Sequence, residues 1–215
     1  VIKAVGIGAG GHAKVVVDIL KLMKGVKIEG LLDADPKLCG RKIMGVPVLG
    51  NDSLLPSLMR KGVRHFFIGV GAGGNPGVAN TRYKLFEKCR ALKLKPISAL
   101  HPKAVIASCA VLSEGVTVMA GAIINPCAQI GVNVIINTGA IVEHDCVIEE
   151  HAHIATGAHL AGCVRVERLA HIGIGASIRQ GTIIGSQAVV AAGAVVIRNV
   201  LPNSLVMGVP ARAVN

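Results

Sequence analysis

The sequence predicts two architectures in one chain: an α/β domain over residues 1–100 and a column of stacked short strands over residues 101–215. Three observations carry this reading. From Val105 to Val200 the chain repeats every six residues without a slip. Ahead of that stretch, a strand, a glycine turn, a helix and a second strand follow one another between Ile2 and Leu32. The charge is lopsided as well: residues 1–100 hold 17 Lys+Arg against 6 Asp+Glu, whereas residues 101–215 hold 6 against 6.

In the repeat, one column runs from Ile106, Leu112 and Val118 through Ile184 and Val190 to Val196, and all 16 of its residues are branched aliphatics. Four residues on, a second column of 16, from Ala110 and Val116 to Ala194 and Val200, is small throughout. Between the columns lie Gly, Asn, Asp, Pro and Cys, which allow tight turns or positive φ. A helix places apolar residues at a period near 3.6 and a half-buried strand at 2. Six fits neither; it fits short strands with a corner after each. The pattern resembles the hexapeptide-repeat, left-handed parallel β-helix, in which three hexads make one triangular coil. That resemblance implies large aliphatics filling the prism, small residues beside them, and coils stacked about 4.8 Å apart. Left-handed crossovers oppose the usual rule for parallel strands, so a pattern this strict is specific. Gly115 to Val142 contains no charged residue and has the length of a membrane span. Its Asn125, Pro126, Gln129, Asn133 and Asn137 fall at corner and outward positions, so no span is expected.

Hydrophobic residues make up 52% of the chain but include only one Tyr, three Phe and no Trp, so the core must be aliphatic, as a narrow prism requires. Six cysteines without a CxxC spacing argue against a zinc ribbon and a disulfide scaffold. Cys109, Cys127 and Cys163 share one corner column and read as small residues tolerated there. Lys3 and the glycines from Gly6 onward interrupt any apolar leader, and a cytoplasmic protein is expected. The net charge of +11 resides in the first half and favours an anionic ligand such as a nucleotide diphosphate. Nucleic acid is not expected, because no basic stripe is interleaved with stacking aromatics.

Taken in order, Ile2–Ile7 reads as a buried parallel strand running into Gly6-Ile7-Gly8-Ala9-Gly10-Gly11-His12. A helix follows with Val15, Val16, Ile19, Leu20 and Met23 as its apolar face, then a strand over Lys27–Leu32 that ends at Asp33. The turn satisfies GxGxxG, a phosphate-binding pattern in which helix N-terminal N–H groups face the anion. The domain ends near residue 100, which leaves room for one mononucleotide-binding half, so a single nucleotide is favoured over NAD. Gly45–Gly50 reads as a short strand, Asp52–Lys61 as a helix with Leu54, Leu55 and Leu58 inside, and His65–Val70 as a strand. Gly71–Gly77 reads as a loop too glycine-rich for regular structure, Thr81–Leu92 as a helix carrying Arg82, and Pro96–Leu100 as the last strand.

GAGGHAK after the first strand, the LLDAD stretch, Glu143-His144-Asp145 within the hexads and the terminal Gly208-Val209-Pro210-Ala211-Arg212 together resemble one bacterial family over essentially the whole chain. Its members are sugar acetyltransferases that N-acetylate nucleotide-linked amino sugars or O-acetylate sialic acid. The resemblance implies acetyl-CoA as donor, a homotrimer, an active site shared between neighbouring prisms, and a nucleotide-linked sugar on the N-terminal domain. The chemistry needs a base near neutral pKa and a donor for the developing oxyanion. His144 fits the first, flanked by Glu143 and Asp145. By resemblance the N–H of Gly162, one coil further on, supplies the second, and His153 lies near the CoA thioester. Gly208, Pro210, Ala211 and Arg212 are then candidates for CoA, and Asn137 for the acceptor sugar. Gly10, Gly11 and His12 are expected against the phosphates and sugar, with Asp33 or Asp35 on base or ribose, and Arg82 nearby.

Cys146 falls in the inward small column, which disfavours an acyl-enzyme and leaves direct transfer in a ternary complex. His153 and His171 are 18 residues apart and should stack on one outer wall. Glu149-Glu150 and Glu167-Arg168-Leu169 replace commoner glycine corners and imply altered corner geometry. Three alternatives stay open: O-acetylation of a sugar hydroxyl, a zinc-dependent hydratase of carbon dioxide drawing three ligands from His144, His151, His153, His159 and His171, and a non-catalytic trimer that only binds a nucleotide. The main reading involves no metal.

Overall fold

The computed structural model describes residues 1–72 and 76–214, with the side chains of 76–78 left aside. It divides into two compact units, Val1–Gly71 with Asn80–Ala99, and Ala72–Ala79 with Leu100–Asn215.

The first unit is built on strands β1 (Ile2–Ile7), β2 (Val26–Leu32), β3 (Lys42–Ile43), β4 (Val46–Gly50), β5 (His65–Ile68) and β6 (Lys95–Pro96), with helices α1 (Gly11–Leu22), α2 (Leu55–Arg60) and α3 (Pro76–Ala91). The sheet order is β3-β4-β2-β1-β5-β6, parallel except for β3. Strand order reverses at β1, which places a crevice outside the carboxyl ends of β1, β2 and β5. α3 packs on this sheet through an edge contact between Phe66 and Phe86, with ring centroids 5.2 Å apart.

Several sequence expectations shift by a residue or an element. The buried face of α1 is Ala13, Val16, Val17, Ile19 and Leu20, whereas Val15 is exposed. Val15 lies about 200° round the helix from Ala13, so it faces water. Met23 caps the helix rather than lining it. The expected helix over Asp52–Lys61 is a 3₁₀ turn, Asp52–Leu54, followed by α2, because Pro56 fits the first turn of a helix; Leu54 is exposed. α3 begins at Pro76, five residues earlier than the periodicity predicts, since proline needs no N–H there. The expected loop over Gly71–Gly77 therefore ends sooner, and its residues 73–75 lie outside the described residues. The last expected strand is two short ones, β6 and Ala99–Leu100.

The second unit is a parallel β-helix of the left-handed hexapeptide type. Its two-residue strands form three walls, and each strand pairs with the one 18 residues on: Thr117↔Ile135↔His153↔His171, Ile123↔Ile141↔His159↔Ser177, Val111↔Gln129↔Val147↔Arg165. Both predicted columns face inward, and from Val116 to Val200 they are buried. The uncharged stretch from Gly115 to Val142 is part of this prism. Among the described residues no helix is long and apolar enough to cross a membrane.

Each corner turns through one residue in the left-handed region. At one corner it is always glycine, from Gly121 to Gly193. At another it is Asn133, His151, Leu169 and Gln187, all with φ between 55 and 62°. The expected change of geometry at the glutamate-bearing corners therefore does not occur. Two carboxylates offset the cost of a side chain in that region. Glu149 Oε2 accepts from the Arg168 N–H at 3.1 Å, and Glu167 Oε2 from the Ser186 N–H at 2.8 Å. Charge-assisted bonds of this kind are roughly twice as strong as neutral ones.

Candidate active site

In the first unit, the crevice at the strand ends encloses about 180 Å³ and is lined by Gly8, Leu32, Asp33, Asp52, Val70 and Thr81, among others. Glycines near it divide into two kinds. A side chain at Gly6 would collide with Phe67 and Leu31 at about 2.4–2.5 Å, so packing forbids one. At Gly10 and Gly11 it would meet nothing within 4 Å. The protein does not need glycine at those two positions, and what they leave open is the N-terminus of α1, which has no side-chain cap and no acidic residue in its first turn. Unpaired N–H groups and the positive end of the helix dipole face that space.

Asp33 and Asp35 are committed to the backbone. Asp33 Oδ2 accepts from the Ala9 N–H at 2.7 Å, which ties the glycine turn to the end of β2, and its Oδ1 accepts from the Asp35 N–H at 2.9 Å. Asp35 caps the following turn by accepting from the Lys37 N–H at 2.9 Å. Arg82 is 1% exposed, with its pKa drawn down to about 9 by burial. The Nε2 of His12 is buried, and burial together with the charge of Arg82 pulls its pKa down to about 3. His12 is therefore neutral at physiological pH and presents a hydrogen-bonding ring rather than a cation.

In the second unit His144 and Asp145 are the two central residues of one corner. Asp145 is the left-handed one, with φ of 58°. This turn directs its carboxylate back onto the imidazole, and His144 Nδ1 lies 2.8 Å from Asp145 Oδ2. An ionised carboxylate only accepts, so the proton is held on Nδ1 and the lone pair on Nε2. The other carboxylate departs from expectation: Glu143 Oε2 faces the His144 backbone N–H at 3.4 Å and not the ring. Gly162, one coil on, lies against the imidazole; a Cβ there would stand 2.6 Å from both Cε1 and Nε2. Its N–H donates to no group among the described residues, because the corner position faces outward from the strand ladder. A free lone pair and a free N–H thus share one corner, over a side chain that is half exposed (52%).

The opposite feature is a wall. His153 and His171 stack edge to face with centroids 4.9 Å apart, as their spacing predicts. Asn137 Nδ2 lies 3.2 Å from His153 Nε2, so Asn137 and His153 belong to one cluster. Burial draws the pKa of His171 down to about 4. Asn137, His153, His171, Gly173, Ile174 and Leu205 line a groove of about 370 Å³ on this wall. The C-terminal segment closes the prism as a hairpin in which Leu205–Gly208 pairs with Ala211–Ala213 around the cis Val209–Pro210 bond. Gly208, Pro210 and Ala211 thus form its turn, and Arg212 is exposed, bonded to the Ala211 carbonyl.

The remaining histidines do not converge. His151 is buried with its Nδ1 2.9 Å from Asn133, and His159 is exposed on another wall. Among the described residues no three histidines come together; the single cluster of metal-ligating types is His144, Asp145 and Cys163. Sequence reasoning missed Cys163 here. Its 18-residue offset from Asp145 was the available signal. Cys146 points inward toward the Ala161 carbonyl, and burial pushes its thiol up to about 11, which removes it as a nucleophile.

A family model described as the PglD N-terminal domain matches residues 3–88. The chain is similar to a histidine-to-alanine variant of GDP-perosamine N-acetyltransferase from Caulobacter crescentus in complex with CoA and GDP-perosamine. Identity is 39% and the TM-score 0.92, over 99% of this chain and 97% of that one. The acetyltransferase domain of PglB from Neisseria gonorrhoeae FA1090, in complex with acetyl coenzyme A, is 33% identical with a TM-score of 0.88 over 99% of each chain. WeeI from Acinetobacter baumannii AYE is 26% identical with a TM-score of 0.78, over 99% of this chain and 100% of that one. No curated protein sequence gives a significant match. The chain belongs to the hexapeptide-repeat family of sugar N-acetyltransferases.

Proposed function

We propose that this protein transfers acetyl from acetyl-CoA to the amino group of a nucleotide-linked amino-deoxy sugar, with His144 as general base. The observation that carries the reading is the corner where Asp145 fixes the imidazole at 2.8 Å and Gly162 opens the space before Nε2. Nε2 takes a proton from the attacking amine, the nitrogen adds to the thioester carbonyl, and the Gly162 N–H stabilises the oxyanion. Collapse breaks the carbon–sulfur bond, and the proton on Nε2 passes to the departing thiolate of CoA. Transfer is direct, within a ternary complex.

The first unit holds the nucleotide. Its phosphates lie against Gly10, Gly11 and the N-terminus of α1, and His12, kept neutral by burial and by the charge of Arg82, adds a hydrogen bond. Asp33 and Asp35 retain acceptor capacity for ribose or base while holding their loops. Asn137 takes part in acceptor-sugar binding. CoA takes the groove by His153, with Gly208, Pro210, Ala211 and Arg212 at the hairpin toward its phosphates and adenine. The functional assembly is a homotrimer in which this wall of one prism and the His144 corner of another complete the site. Acetyl-CoA and nucleotide sugars are cytoplasmic metabolites, and the enzyme works there.

The test is a panel of GDP-, UDP- and CMP-linked amino sugars, scored for CoA release and for N-acetyl product with and without acetyl-CoA. One nucleotide class should be acetylated on nitrogen and should stabilise the protein thermally. Acetylation of a hydroxyl instead, or turnover with none of them, would overturn the reading.

A further inference from the structure

Asp145 and Cys163 occupy the same corner position one coil apart, with φ of 58 and 59°, so their side chains leave the prism side by side. The Cys163 N–H donates to the His144 carbonyl at 2.9 Å, which locks the two corners together. As a result an imidazole nitrogen, a carboxylate oxygen and a thiol sulfur all lie within 4.8 Å of one another. Cys163 is exposed, as is Cys127 one coil before Asp145; the Cys127 sulfur lies 3.9 Å from that of Cys109. Glycine fills the same position one coil further on, at Gly181. A cysteine is therefore placed where glycine would be cheaper by roughly 1 kcal/mol, directly beside the proposed base.

From this cluster we infer that His144, Asp145 and Cys163 form a site for a zinc-like divalent cation, which takes the His144 Nδ1 from Asp145, shifts the ring proton to Nε2 and so silences the enzyme by removing the lone pair of its base. Zinc takes nitrogen, sulfur and oxygen donors at about 2.0–2.3 Å, which sets tetrahedral donors roughly 3.3–3.6 Å apart. The His144 Nδ1 and Asp145 Oδ2 are 2.8 Å apart and all three donors lie within 4.8 Å of one another, so rotation of exposed side chains suffices to reach that spacing. Water completes the fourth position. A borderline-soft thiolate with imidazole selects zinc over magnesium or calcium. The thiol proton of Cys163 is released to solvent as the metal–sulfur bond forms, so binding weakens as pH falls. No step of acetyl transfer uses the metal. The site is inhibitory, and its effect on turnover rests on His144 being the base.

Cobalt(II) as a spectroscopic stand-in tests binding without reference to activity. Titrating the metal-free protein should give a thiolate-to-cobalt charge-transfer band at one equivalent, displaced by Zn²⁺. Cys163→Ser should abolish the band, and Asp145→Asn should weaken affinity by at least the roughly 10–100-fold that loss of an outer-shell partner costs. Zn²⁺ should suppress acetyl transfer by the wild type, a chelator should restore it, and Cys163→Ser should turn over normally and resist Zn²⁺. Absence of the band, or a band that survives Cys163→Ser, overturns the site. A Cys163-dependent band in a protein that transfers no acetyl even when metal-free would leave the site standing and refute the catalytic reading instead.

Discussion

Two corners of one prism meet the same backbone demand in opposite ways. After the wall that carries His153 and His171, the left-handed position is glycine in coil after coil: Gly121, Gly139, Gly157, Gly175 and Gly193. At the corner that carries His144, the same position holds Cys127, Asp145 and Cys163, with φ of 62, 58 and 59°. A side chain there costs about 1–2 kcal/mol relative to ordinary conformations, and glycine avoids most of it. Left-handed side chains also stand at the third corner, at Asn133, His151, Leu169 and Gln187, so strain by itself does not mark a functional corner. At Asp145 a use for the side chain is visible, since the left-handed turn is what returns its carboxylate to the imidazole.

Short of removing His144 itself, Gly162→Ala should have the largest effect. Its backbone is not left-handed, so alanine folds without strain, but the new Cβ would enter the ring of His144. We expect kcat to fall by about 100-fold, the loss that a displacement near 1 Å produces, with thermal stability and KM for the nucleotide sugar unchanged. Steady-state kinetics beside a melting curve checks both halves. Asp145→Gly converts the histidine corner into a copy of the glycine one. Activity should drop by roughly 10–100-fold as the ring loses its partner. Stability should rise by about 1 kcal/mol, read from denaturant midpoints at constant m.

How far the sequence foretold this arrangement depends on how often each feature repeats. The prism was legible because 16 inward aliphatics repeat one message, and the stacking of His153 on His171 followed from the same 18-residue arithmetic. Elements stated only once were read less well. Val15 and Val17 exchanged faces because a single turn of register in α1 rests on few residues, and α3 began early because Pro76 looked like a breaker and is a starter. Glutamates and Leu169 at corners implied a different turn, yet the backbone conformation is imposed by the coils above and below. At the site, the pairing of His144 with Asp145 was foreseen. The turning away of Glu143, the burial of Arg82 and the approach of Cys163 depend on side-chain directions that spacing does not encode.

The wall makes a smaller, pH-dependent prediction. His171 has its pKa lowered to about 4 in the folded state, against about 6.5 when unfolded, so the unfolded chain binds the proton first. Stability is therefore full above pH 6.5 and declines as pH falls toward 4, where the decline from this group ends. His12, lowered to about 3, acts in the same direction. We expect His171→Gln to recover about 2 kcal/mol near pH 4, a figure reduced for the partial exposure of the ring. Urea denaturation across this range shows it. The smallest effect is at the histidine corner but outside its chemistry. Cys127→Gly should stabilise the protein by about 1 kcal/mol and leave turnover untouched.

The most direct measurement is made on His144→Ala: binding of CoA and of the nucleotide-linked amino sugar by calorimetry, alongside acetyl transfer on the same sample. The account predicts that both ligands bind as they do to the wild type while transfer falls by about 10²–10⁴-fold. Undiminished transfer by that variant would contradict it.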